Sequence, residues 1–83
     1  MHITIRQLQV FEAVARQLSY TRAAEELRLT QPAVSMQVKQ LENSVGLPLF
    51  EQIGKRVFMT QAGETMLRHA QTIMRHLVSA QEE

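Results

Sequence analysis

Apolar side chains recur along this chain at two spacings, and the changes between them divide it into five pieces. From about Ile5 to Gln17, residues Leu8, Phe11, Ala15 and Leu18 recur at intervals of three and four, the period of a helix with one buried stripe. Val10, Ala13 and Val14 widen that stripe, so this helix is predicted to meet two neighbours. Thr4 stands where an N-cap is needed. A short second helix is predicted from about Thr21 to Leu27, with Ser19 or Thr21 as its cap and Ala23, Ala24 and Leu27 facing inward. Two adjacent alanines suit a close helix crossing, because small side chains let backbones approach. Arg28-Leu29-Thr30 then makes a tight connection, with Leu29 as an apolar plug.

The third helix is predicted to begin after the N-cap Thr30, with Pro32 in the first turn, where a missing N–H costs nothing. It runs to about Asn43 and stops near Gly46 and Pro48. At 100° per residue, Ala33, Val34, Val38 and Leu41 share one side, while Pro32, Ser35, Met36 and Lys39 share the other and Gln31 leads at the tip. Leu49-Phe50-Glu51 and Val57-Phe58-Met59 flank Ile53-Gly54-Lys55-Arg56 and read as a β-hairpin, with Gly54 in the turn. After the cap Thr60, a long helix is predicted from Gln61 onward. In it Met66, Ala70, Ile73, Leu77 and Ala80 repeat at four, three, four and three, a heptad seam. Gly63 is off-pattern but lies in the first turn. The sequence ends while still helical, which suggests a piece of a longer protein.

Composition narrows the class. At 83 residues this is one small domain, and 45% apolar content can furnish a core. Without Cys, neither disulfides nor a Cys-based zinc site holds it together. No apolar run reaches the roughly 18 residues of a membrane span and no signal-peptide pattern is present, so a cytoplasmic, helix-rich domain is expected. The net charge is only +1, so any affinity for nucleic acid must come from where charges sit. Ten glutamines supply neutral groups that both donate and accept hydrogen bonds. His69 and His76 lie about 10 Å apart along a helix, too far for one metal ion. No residue set resembles a nucleophile with its base. Neither an enzyme nor a cofactor is therefore expected.

Two helices joined by a three-residue turn, the second with a polar ridge opposite its core stripe, read as a helix-turn-helix. Such a helix fits the major groove when its outer face is free and its N-terminal side chains reach base edges. Gln31 can bond adenine bidentately, and Ser35 can meet a base or a phosphate. Pro32 and Met36 offer apolar surface to a thymine methyl, and Lys39 can reach a guanine or a phosphate. Between Leu27 and Leu41 there is no acid, whereas Arg28 and Lys39 are present. Lys55 and Arg56 at a hairpin tip suit phosphates or a minor groove. Thr21 and Arg22 open a helix N-terminus, which attracts phosphate.

The segments Thr21-Arg22-Ala23-Ala24-Glu25-Glu26-Leu27, Thr30-Gln31-Pro32-Ala33-Val34-Ser35 and Gln37-Val38-Lys39-Gln40-Leu41-Glu42 resemble the N-terminal part of LysR-type transcriptional regulators. Gly46-Leu47-Pro48-Leu49-Phe50-Glu51 and Thr60-Gln61-Ala62-Gly63 also fit that family. The resemblance implies a mainly α fold: a winged helix-turn-helix of three helices and a two-stranded wing over 1–60, then a linker helix over 61–83. It implies a bacterial source, double-stranded promoter DNA as partner, a homodimer, a tetramer in the full-length protein, and usually activation of an operon. It also implies an effector-binding C-terminal domain, absent here, as the route for any small molecule. Met36 departs from the family, which most often has Arg there. Ser35-Met36-Gln37 with Phe50-Glu51-Gln52-Ile53-Gly54 resembles the branch that regulates carbon-fixation (RuBisCO) operons. Arg28 stands where many helix-turn-helix units have Gly, so a positive φ there would carry strain.

A winged-helix protein–protein module that uses its third helix as an interface is the alternative; DNA binding would weaken steeply with salt, unlike that contact. The seam Met66, Ala70, Ile73, Leu77 and Ala80 is expected to pair with a second copy, the wide apolar face of the first helix adding packing surface. Such a dimer would present two reading helices to an inverted repeat.

Overall fold

The computed structural model describes residues 2–83. Its element order is α1 (Ile5–Gln17), α2 (Tyr20–Leu27), α3 (Gln31–Val45), β1 (Phe50–Ile53), β2 (Arg56–Met59) and α4 (Gln61–Glu82). Helix α1 is the hub. Leu8, Val10, Phe11, Ala13, Val14 and Ala15 are all buried, because α2, α3 and α4 each pack against it. Three neighbours, rather than two, use its apolar width. The face expected to help join two copies is thus already consumed inside one chain.

Each helix starts on a side-chain oxygen, as its sequence requires. Thr4 and Gln7 form a reciprocal capping box on α1. Ser19, not Thr21, caps α2 by accepting the Arg22 N–H. Thr30 caps α3 and Thr60 caps α4. Ends are equally defined. Arg28 closes α2 in the left-handed region at φ 56°. Its N–H bonds the Glu25 carbonyl and the Leu29 N–H bonds that of Ala24, the pairing of a Schellman motif. Leu29 is half-buried against the core, the plug role expected of it. Gly46 ends α3 at φ 83°, the stop expected there, and the helix runs to Val45, two residues past Asn43.

Strands β1 and β2 pair antiparallel with Phe50 opposite Met59 and Ile53 opposite Arg56. Gly54-Lys55 is the two-residue turn, and Gly54 supplies its positive φ of 62°. The hairpin is anchored at its root. Phe50 lies 5.3 Å from the Phe11 ring and 6.0 Å from Tyr20, centroid to centroid. Burial, with the Glu42 charge adding to it, pushes the Tyr20 hydroxyl pKa up.

The core of α3 is Val34, Val38 and Leu41, all buried, with Ala33 half-buried beside them. Among the described residues no helix is long and apolar enough to cross a membrane. At the start of α4, Gly63 is buried, and a Cβ there would collide with the Leu49 carbonyl oxygen. Gly63→Ala is therefore expected to lower stability by about 1–3 kcal/mol, read as a shifted urea midpoint. Leu41→Asp, which buries a carboxylate without a partner, is expected to abolish the folded state by circular dichroism.

Candidate nucleic-acid interface

The side of α3 away from the core is free. Gln31, Pro32, Met36, Lys39 and Gln40 are exposed, and Ser35 is half-buried. Gln31 Nε2 donates to Ser35 Oγ at 3.1 Å, so the two residues one turn apart act as a unit. The carboxamide keeps its carbonyl and its second N–H, the two groups a bidentate adenine contact needs. Thr30 Oγ1 receives the Ala33 N–H at 3.2 Å. Its oxygen is thereby engaged in capping, and its hydroxyl hydrogen remains as a donor.

An open cleft of about 530 Å³ runs between the start of α2, the outer side of α3 and the hairpin. It gathers Thr21, Gln31, Ser35, Lys39 and Lys55, five residues picked out by sequence, together with Gln52 and Glu42. Arg22, Arg28, Thr30, Pro32 and Met36 are exposed but do not line it. Lys55 and Arg56 part company. Lys55 borders the cleft, whereas the Arg56 guanidinium lies 5.4 Å above the Phe58 ring. Pairing places Arg56 opposite Ile53 and Phe58 opposite Glu51, so these four share one hairpin face.

Two networks missed from sequence hold these parts at fixed angles. Glu42 Oε2 accepts the Leu49 N–H at 2.7 Å and the Phe50 N–H at 3.4 Å, tying α3 to the root of the hairpin. Nothing in the spacing marks this, since the loop between them sets the geometry. Arg16 bonds Glu12 at 2.9 Å one turn away and Glu26 at 2.5 Å across on α2; Gln17 also donates to Glu26. The Arg16–Glu12 spacing of four was readable as a helix pair, but the reach to α2 was not. The Arg16 hydrogen bonds, with that of Gln17, hold the Glu26 carboxyl down at about 2, from an ordinary 4.5.

The expected helix seam is divided by the structure. Ala70 has 0% exposure, buried in the chain's own core, and Met66 packs half-buried beside it. Ala70 is thus removed from any seam with a second copy. Farther along, Ile73 is 40% and Leu77 38% exposed, and Ala80 is exposed too.

Three helices, a turn closed by a left-handed residue and a two-stranded hairpin beside the third helix make this a winged helix-turn-helix. A family model described as bacterial regulatory helix-turn-helix protein, lysR family, matches residues 5–64, and the chain belongs to that family. It is 57% identical over 82 residues to the RuBisCO operon transcriptional regulator of Allochromatium vinosum, covering 99% of this chain and 27% of that protein. The fold superposes on the DNA-binding domain of CbnR in complex with DNA with a TM-score of 0.90, at 30% identity, covering 95% of this chain and 91% of that one. On the DNA-binding domain of BenM with catB site 1 DNA the TM-score is 0.91, at 29% identity, covering 95% and 89%. The chain spans about a quarter of the length of the curated relatives it matches. Those relatives are transcriptional regulators, not enzymes.

The Glu26 carboxyl gives a testable pH dependence. Its folded pKa lies below its unfolded one, so its contribution is complete above about 4.5 and fades as pH falls toward about 2. Glu26→Gln is expected to melt below the wild type at neutral pH. The gap should close across that acid window in thermal melts followed by circular dichroism.

Proposed function

We propose that this chain is the sequence-reading part of a dimeric transcriptional regulator that binds double-stranded promoter DNA. The observation that carries this is the free outer side of α3 with its Gln31–Ser35 pair, set beside a cleft shared with Lys39 and Lys55. Residues 1–60 supply the DNA contacts. Gln31, Ser35, Pro32 and Met36 face base edges in the major groove. Thr21, Arg22, Arg28, Thr30, Lys39 and Lys55 serve phosphates or neighbouring base edges, and Arg56 reaches the backbone beside the hairpin. The solved DNA complexes of two similar domains support the reading. So does the absence of carboxylates from Arg28 to Gln40, which keeps that face free of repulsion toward phosphate.

Residues 61–83 join two copies through the exposed end of α4, with Ile73, Leu77 and Ala80 as the seam and Met66 at its inner margin. Two-fold symmetry then presents two α3 helices to an inverted-repeat site. In the full-length protein two such dimers make a tetramer, and a C-terminal domain takes the small-molecule effector. An operon for carbon fixation is the target that the similarity to a RuBisCO operon regulator supports, with activation as the outcome.

The test is a binding titration on a fragment selected from random DNA, repeated over a range of salt. Gln31→Ala and Ser35→Ala are each expected to weaken the selected site by about 1–3 kcal/mol with little change on random DNA. Lys39→Ala and Lys55→Ala should instead lower the salt slope by about one unit each. Equal loss on both DNAs for the first pair would overturn the base-reading role. Failure to enrich any fragment, with no salt-dependent binding to random DNA, would favour a protein-binding module. Sedimentation is expected to show self-association of the wild type that Ile73→Glu/Leu77→Glu abolishes, while the double variant keeps its helical spectrum.

A further inference from the structure

The recognition side of α3 carries two parallel ridges of different chemistry. One is polar: Gln31, Ser35 and Lys39 at successive steps of four, with the Gln31–Ser35 bond fixing its first turn. The other begins with an apolar pair, Pro32 and Met36, also four apart and therefore one above the other. Met36 is 55% exposed and is the large apolar side chain that α3 leaves in solvent among the described residues. Every other apolar residue between Ala33 and Leu41 is buried or half-buried, so this exposure is not a shortage of core space.

Resting on the DNA-binding reading above, we infer that Met36 is a specificity-determining residue that reads the 5-methyl group of a thymine, with Pro32 completing the apolar contact. The major groove presents one apolar group, and it belongs to thymine; guanine and cytosine offer only hydrogen-bonding atoms at their edges. A thioether over a G·C edge covers acceptors and donors that it cannot satisfy, which costs affinity. Over a thymine methyl it buries apolar surface on both sides. Met36 thus selects for thymine and penalises G·C at one step. The neighbouring Gln31 retains the groups that suit adenine. Flexibility suits Met to this task, since an unbranched side chain can follow a methyl group along the groove floor.

The test uses the 83-residue chain and the fragment it selects from random DNA. Each thymine of the half-site is replaced in turn by deoxyuridine, which removes only the methyl. Binding is measured for the wild type and for Met36→Ala, whose melting temperature should match the wild type because the side chain is exposed. At one thymine the wild type is expected to lose roughly fourfold, the worth of one buried methyl-sized group, while Met36→Ala loses nothing further. Replacing that T·A pair by C·G should weaken the wild type more, and 5-methylcytosine there should recover part of the loss. If no deoxyuridine substitution affects the wild type, or if Met36→Ala responds to each as the wild type does, the inference is overturned while DNA binding stands. If no fragment is enriched at all, both readings fall together.

Discussion

A backbone stretch that leaves a helix and enters a hairpin through the protein interior must find partners for its polar groups, and Leu49 is where this chain meets that demand. Its side chain is fully buried. Its N–H goes to the Glu42 carboxylate of α3, and its carbonyl accepts the Thr60 N–H at 3.1 Å. The same carbonyl lies against Gly63 of α4. Thr60 in turn donates its hydroxyl to the Pro48 carbonyl at 2.7 Å while capping α4 with the same oxygen. One residue therefore joins the reading helix, the hairpin and the long helix, and each join satisfies a backbone group that burial would otherwise leave unpaired. The spacing between Lys39 on α3 and Lys55 on the hairpin follows from it.

The angle between α1 and α2 has a different origin. Ala23 and Ala24 are both buried, so the two backbones approach closely, and the Arg16–Glu26 pair spans the outer edge of that contact. Exposed ion pairs of this kind contribute modestly. The alanines set the distance, and the ion pair limits rotation about it. Placement also resolves the near-neutral net charge. Glu12 and Glu26 are engaged by Arg16, and Glu42 by backbone amides. Of the charged residues that border the cleft, Lys39 and Lys55 are cationic and Glu42 is turned to the Leu49 and Phe50 amides.

Much of this was legible in the sequence, and the illegible part has a physical cause. Helix positions followed from periodicity and caps, since Thr4, Thr30 and Thr60 each precede an apolar repeat. The inward and outward sides of α3 followed from the 100° step. The Arg28 strain was visible from the turn it occupies. Glu42 was not, because a carboxylate seven residues from its amide partner has no local signature. Nor could periodicity tell which neighbour covers a stripe. Met66 to Ala80 repeats as a seam, yet Ala70 is covered by this chain's own core and Ile73 and Leu77 are not. Both halves show the same spacing; only the position of α1 distinguishes them.

The contact of Gly63 with the Leu49 carbonyl has a consequence for how such a protein diverges. It fixes the direction of α4 through backbone atoms, at a point where any larger residue collides. The exposed side chains of residues 71–82 can then be exchanged without turning the helix. The exposed side of α3 is likewise free of duties in the core. The exposed side chains of α4 and those of α3 can therefore drift separately, while the frame between them is inherited unchanged.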